Sequence, residues 1–134
     1  MRKPVISITR KLPTAIERRM MELFDARFNV SDEPMTSEQI IASCEDADVL
    51  VPTVTDNLDA SLIASLAKNV RLIANFGVGV NHIDLNSIAT RNIVVTNTPG
   101  VLTDDTADLT IALLLSVPRR LAEGAKLAAS GSWA

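Results

Sequence analysis

Short β-branched runs alternate with helix-spaced apolar residues along most of the chain. VISIT, residues 5 to 9, is compact and β-branched and predicts a strand. From Thr14, the segment TAIERRMMELFDARF sets Ile16, Met20, Leu23 and Phe24 at helical spacing. FNV, residues 28 to 30, predicts a weak second strand. TSEQIIASCEDA predicts a helix with Thr36 as N-cap and Glu38 in the first turn, and DVLVPTV, residues 48 to 54, a third strand. DASLIASLAKN starts on a capping Asp59, lines Leu62, Ile63 and Leu66 along one face and stops at Asn69. VRLIANF, residues 70 to 76, is then the fourth strand. Asp84 caps a short helix in HIDLNSIATRN, and IVVTN from Ile93 is the fifth strand.

Strands alternating with helices in this way predict an α/β fold with a parallel sheet. Right-handed crossovers place helices on both faces, which makes an open flavodoxin-like or Rossmann-like sandwich with five parallel strands the economical architecture. The order of the strands in the sheet does not follow from the sequence.

The alternation ends after residue 97. Pro99-Gly100 predicts a turn, and residues 97 to 103 mark the one plausible boundary. Thr103 is the candidate cap of a long helix whose first turn is crowded by Asp104, Asp105 and Asp108, where negative charge suits the helix dipole. The middle of that helix, LTIALLL, is apolar nearly all the way round and calls for partners on more than one face. Pro118 forfeits a backbone hydrogen bond, so the helix is expected to kink or restart there. No strand pattern follows it.

Composition narrows the possible partners. The 134 residues suffice for one domain with a real core, and 47% hydrophobic with 22% charged residues is ordinary for a folded protein. A formal charge of -3 and scattered basic pairs such as Arg18-Arg19 and Arg119-Arg120 leave no footprint for nucleic acid. Cys44 is the single cysteine, so an internal disulfide and a cysteine-rich metal site are both excluded, and a buried structural thiol is the expectation. The N-terminus MRKPVISITR lacks the apolar core of a signal peptide, and no segment reaches the ~18–20 apolar residues of a membrane span. These features predict a soluble, cytoplasmic chain with no membrane partner.

The candidate chemistry centres on Gly77, Val78 and Gly79, directly after the fourth strand. A dinucleotide fingerprint would need a third glycine where His82 stands, and no Lys-Ser or Lys-Thr follows to make a P-loop. Two readings remain open on these residues alone. One is a nest of backbone N–H groups suited to a small anion such as a carboxylate; the other is a tight turn that needs positive φ at the glycines. His82, the single histidine, has no nucleophile or ligand set at a recognisable spacing and is expected to make one structural hydrogen bond. Asp84 reads as an N-cap, the Asp104, Asp105 and Asp108 group as a dipole-favoured first turn and not a metal site, and Trp133 as exposed or docked.

NFGVGVNHIDL, RNIVVTNTPGVLTDDTAD and ALLLSVPRRLAEG together resemble the N-terminal part of the D-isomer-specific 2-hydroxyacid dehydrogenases, in particular their glyoxylate/hydroxypyruvate reductase branch. The resemblance covers essentially the whole chain. It implies a flavodoxin-like three-layer sandwich over residues 1–98 that binds substrate, and over residues 99–134 a crossover and long helix beginning an NAD(P)-binding Rossmann domain.

The resemblance further implies that the loop at Gly77, Val78 and Gly79 offers N–H groups to the carboxylate of a small 2-oxo or 2-hydroxy acid. It places Leu102 in the same cleft, and Val78 and Thr103 near the dinucleotide, NAD or NADP in the complete protein. No metal is implied. The family's glycine fingerprint, its carboxylate-binding arginine and its acid-paired histidine would all follow residue 134, so His82 is not the catalytic histidine. The chain is therefore expected to be an inactive portion of an oxidoreductase that binds no dinucleotide tightly by itself. A stand-alone carboxylate-binding or subunit-interaction module is the alternative. Both readings expect a homodimer or larger assembly through the helix containing Leu109 to Leu115.

Overall fold

The computed structural model describes residues 2–132, and Trp133 lies outside them. The chain divides into two compact units between Pro99 and Gly100.

The first unit holds β1 (Val5–Ile8), α1 (Thr14–Leu23), β2 (Asp25–Arg27), α2 (Ser37–Ser43), β3 (Val49–Val51), α3 (Ala60–Ser65), β4 (Leu72–Ala74), α4 (Leu85–Thr90) and β5 (Val94–Thr96). All the strand pairings are parallel, in the order β2-β1-β3-β4-β5. This is the flavodoxin-like order. The chain winds outward from β1 to β2, returns across β1 to β3, and then steps one way to β5. Reversal of direction between β1 and β3 puts α1 on one face and α2, α3 and α4 on the other.

Alternation of side chains along each strand divides the core accordingly. Leu50 and Ile73 face α2, α3 and α4 and pack with Ile40, Cys44, Leu62, Ile63 and Ile88. Ile6, Ile8 and Val51 face the other way and pack with Leu12, Met20 and Phe24. Cys44 is fully buried, and burial pushes its thiol pKa up, so it is a packed structural thiol as expected.

Caps fix where the helices begin. Thr36 accepts from Gln39 N while the Gln39 side chain accepts from Thr36 N, a full capping box. Asp59 accepts from Leu62 N, and Asp84 from Ser87 N. α3 stops at Ser65, earlier than the Asn69 the sequence pattern suggests, because Leu66 turns to extended backbone. Its exposed carbonyl end is closed by Arg91, whose guanidinium donates to Ile63 O, to Leu66 O at 2.7 Å and to Ala67 O at 3.1 Å.

The second strand departs from expectation. It lies at Asp25–Arg27 and not at residues 28 to 30. Its register is set by the backbone, with Asp25 N donating to Pro4 O and Ala26 opposite Ile6. At a sheet edge only one inward side chain is needed, and Ala26 supplies it while Asp25 and Arg27 face out. The apolar pair that suggested a strand is used otherwise: Phe28 packs on the core and Val30 is 90% exposed.

The second unit contains α5 (Thr103–Ser116) and α6 (Leu121–Ala129). The turn predicted at Pro99-Gly100 is present, and Gly100 takes left-handed backbone in it, with φ +78. Leu102, and not Thr103, is the N-cap: Thr106 N bonds to Leu102 O, and no side chain caps the helix. Asp104 and Asp105 occupy the first turn, and Asp108 falls in the next. As Pro118 predicts, the helix restarts, with Arg120 in left-handed backbone (φ 50) just before α6.

Candidate functional site

In open α/β sheets the strand ends deliver loops to one edge, and ligands bind outside the carboxyl ends of the strands. At that edge of the first unit, the loop after β3 and the loop after β4 are stitched together twice. Phe76 N donates to Pro52 O at 2.8 Å; further along, Leu58 N donates to His82 O and Asp84 N to Leu58 O. The segment from Gly77 to His82 is thus a loop held at both ends.

The β3 side of this frame is itself fastened by a buried carboxylate. Asp56 Oδ2 accepts from Thr9 Oγ1 at 2.6 Å and from Thr53 N at 2.7 Å, tying the end of β1 to the turn after β3. Thr9, at the end of β1, also accepts at its carbonyl from Asn29 Nδ2.

The carbonyls of Gly77, Val78 and Gly79 are each engaged by a donor of the same unit. Asn75 Nδ2 donates to Gly77 O at 3.1 Å and to Gly79 O at 2.9 Å, Asn97 Nδ2 donates to Val78 O at 2.8 Å, and Thr98 N donates to Gly77 O. A trans peptide plane points its N–H opposite to its C=O. With the carbonyls of Gly77, Val78 and Gly79 drawn toward Asn75, Asn97 and Thr98, the N–H groups of Val78, Gly79 and Val80 face away from those donors. Among the described residues none of these three N–H groups has a partner. Val78 and Gly79 are exposed. A row of outward N–H groups at a strand end is a ready receptor for a small anion.

Neither glycine has positive φ, so the tight-turn reading does not account for them. Gly77 is required by close approach instead: a Cβ there would lie 2.7 Å from Val54 Cγ1 and 3.3 Å from Asn75 Nδ2. At Gly79 the nearest atom, Asn81 Oδ1, would be 3.4 Å away, an ordinary contact.

His82 makes the structural hydrogen bond expected of it, with Nε2 at 3.0 Å from Asn75 Oδ1. Partial burial holds its pKa below the ordinary imidazole value, opposed by the negative charge of Asp56. Asp84 is held below the usual carboxylate range by its bonds to Ser87, as an N-cap should be. Leu102 and Thr103 belong to the second unit, where both are exposed at the start of α5. Sequence reasoning passed over Asn75, Asn97 and Asp56; the available signal was an asparagine closing each of two apolar strands, in LIAN and VVTN.

The family profile described as D-isomer specific 2-hydroxyacid dehydrogenase, catalytic domain, matches residues 6–131. The chain belongs to this family. Among curated relatives, the glyoxylate reductase of Thermofilum pendens is 36% identical over 134 residues, covering 99% of this chain and 39% of the relative. That of Thermococcus litoralis is 37% identical over 131 residues, covering 98% of this chain and again 39% of the relative. The chain thus spans about two fifths of the length of the relatives it matches. Of the solved structures, a Thermus thermophilus protein superposes with a TM-score of 0.82 at 40% identity, over 97% of this chain and 42% of that one. The NADPH-dependent glyoxylate/hydroxypyruvate reductase of Sinorhizobium meliloti, solved with NADP and malonate, gives 0.79 at 30% identity over 98% and 39%.

Family membership raises the question of a dinucleotide, and the Gly77 to Gly79 loop does not fit its pyrophosphate. The space beside Gly77 is filled by Val54. α4 is only six residues long, begins well after Gly79, and carries the Asp84 carboxylate on its N-terminal N–H groups, where a phosphate would have to sit. Among the described residues no cluster of His, Cys, Asp and Glu could hold a metal, and no helix is long and apolar enough to cross a membrane.

Proposed function

We propose that this chain supplies the substrate-carboxylate loop of an oxidoreductase that moves a hydride between NAD(P)H and a small 2-oxo acid of the glyoxylate or hydroxypyruvate type. The observation that carries the reading is the polarity of the loop: the carbonyls of Gly77, Val78 and Gly79 are engaged, and the N–H groups of Val78, Gly79 and Val80 are unpartnered and turned away from those donors. Gly77, Val78, Gly79 and Leu102 are the proposed substrate contacts; Val78 and Thr103 are proposed to meet a dinucleotide held by other parts of a longer protein. On this reading residues 1–98 are a substrate-binding domain, and residues 99–134 open the NAD(P)-binding domain. The malonate in the Sinorhizobium reductase structure supports a carboxylate as the ligand class.

The 134 residues by themselves are inactive on this reading. Reduction of a 2-oxo acid needs a proton donor beside the carbonyl oxygen as well as a positioned nicotinamide. His82 is the single histidine, its Nε2 is committed to Asn75, and the sequence contains no G-x-G-x-x-G.

The test is a titration of the ¹⁵N-labelled chain with malonate and glyoxylate, against acetamide as a neutral control. Selective shifts of the Val78, Gly79 and Val80 amides are expected, with a dissociation constant in the millimolar range, on the order of -4 kcal/mol. Equal responses to acetamide, or none at these amides, would refute the reading. NADPH oxidation with either substrate by the chain alone would overturn the inactivity.

The exposed apolar surface of α5 supports an association role beside this one. Leu109, Ile111, Leu113, Leu114 and Leu115 are each more than half exposed, a patch of the kind that marks a partner surface. A homodimer or larger assembly through this helix is proposed.

A further inference from the structure

Asn75 is only 2% exposed, and everything around its amide is specified by the hydrogen-bonding groups it meets. One end lies 3.1 Å from Gly77 O and 2.9 Å from Gly79 O, both acceptors. That end must be the NH₂, since a carbonyl oxygen there would face two others. The other end, Oδ1, therefore faces His82 Nε2 at 3.0 Å. An oxygen with no hydrogen can only accept, so Nε2 must carry the proton. Neutral His82 is thereby restricted to the Nε2–H tautomer, with Nδ1 bare.

The donors all run one way: His82 Nε2–H to Asn75 Oδ1, then Asn75 NH₂ to the carbonyls of Gly77 and Gly79. Two peptide planes are set by this sequence, 77–78 and 79–80, and their N–H groups belong to Val78 and Val80. Rotating the Asn75 amide would release the 79–80 plane and leave 77–78 held by Thr98 N alone. The two carbonyls hold the NH₂ end of the amide, and His82 adds a second hold at Oδ1, because a turned NH₂ would meet the Nε2–H unless the imidazole moved its proton to Nδ1.

We propose that Asn75 and His82 are positioning residues for carboxylate binding: His82 locks the Asn75 amide, and Asn75 aims the N–H groups of Val78 and Val80 at the substrate carboxylate. The substrate half of this statement rests on the carboxylate-loop reading above. The lock persists on both sides of the His82 titration, since imidazolium also donates from Nε2. It differs in this from a general acid, which must lose its proton to act.

The experiment uses the ¹⁵N-labelled chain, with malonate as the probe. At alkaline pH, long-range ¹H–¹⁵N spectra of His82 should show a protonated Nε2 and a bare Nδ1. His82→Phe removes the donor and should displace the Val78 and Val80 amides and weaken malonate at least tenfold. His82→Gln, which restores an N–H donor, should recover most of that loss. Asn75→Asp keeps the acceptor, deletes both donors and should also weaken malonate at least tenfold. A proton on Nδ1, or a His82→Phe chain that binds malonate as the unaltered chain does, would overturn the lock. Should His82→Phe fail to fold, the tautomer in the unaltered chain and the Gln variant decide. Absence of malonate shifts in the unaltered chain, beside an Nε2–H ring and displaced amides in His82→Phe, would sink the carboxylate reading and leave the lock intact.

Discussion

Gly77 lies directly under Val54: a Cβ added to Gly77 would come within 2.7 Å of Val54 Cγ1, closer than two carbons can approach. The contact joins the loop after β4 to the loop after β3. It explains a glycine at 77 by space and not by backbone conformation.

Gly77→Ala should therefore destabilise the chain by about 1–3 kcal/mol, through displacement of Val54, a β-branched residue with few rotamers, or of the buried Asn75. Val54→Ala combined with Gly77→Ala should recover most of the loss, a coupling readable from urea midpoints in a double-mutant cycle. Additive losses would show that the clash is not the cause. Gly79→Ala, with no clash and no positive φ, should lie between neutral and a gain of about 1 kcal/mol.

Arg91 closes the carbonyl end of α3 from 24 to 28 residues away. Arg91→Ala leaves those carbonyls without their charged donor and should cost about 1–3 kcal/mol. Arg91→Lys should recover only part, because an ammonium cannot span several carbonyls as a planar guanidinium does. Amide exchange in α3 should quicken in Arg91→Ala before exchange elsewhere; uniform quickening would argue against a local cap.

The depressed pKa of His82 fixes the sign of one pH effect. Below about pH 6.5, the ordinary imidazole value, unfolded chains bind a proton that folded chains do not. Stability from this group is thus fully present above that pH and is lost as pH falls toward the lower folded pKa. Urea midpoints should decline from about pH 7.5 to about pH 5.5, and His82→Gln should flatten that segment. Asp56→Asn removes the charge that opposes the shift and should lower the His82 pKa further. An upward move of that pKa would contradict the assignment.

Light scattering at micromolar concentration should give a dimer or larger species. Leu113→Glu, which puts a charge in the middle of the α5 patch, should shift the population toward monomer. A monomeric unaltered chain would remove α5 as an association surface.

Much of the fold was legible in the chain because its signals are local. Caps at Thr36, Asp59 and Asp84 are side chains bonding to N–H groups three residues on, and Pro118 breaks a helix by its own chemistry. The five-stranded α/β pattern needed only periodicity. Where the reading slipped, the deciding force came from elsewhere in the sequence. The second strand sits at Asp25–Arg27 because β1 dictates its register, and the helix after the crossover starts from Leu102 with no side-chain cap.

The candidate site divides in the same way. By itself the sequence determined that two glycines follow an apolar strand, that the dinucleotide fingerprint is absent, and that the resemblance points to a 2-hydroxyacid dehydrogenase. Tertiary structure decided the strand order, the need for Gly77 under Val54, and the direction in which the loop presents its N–H groups. That direction depends on Asn75, Asn97, Thr98 and His82 converging from two strand ends and a loop, and on hydrogen bonds whose geometry exists only after the sheet has brought those ends to one edge.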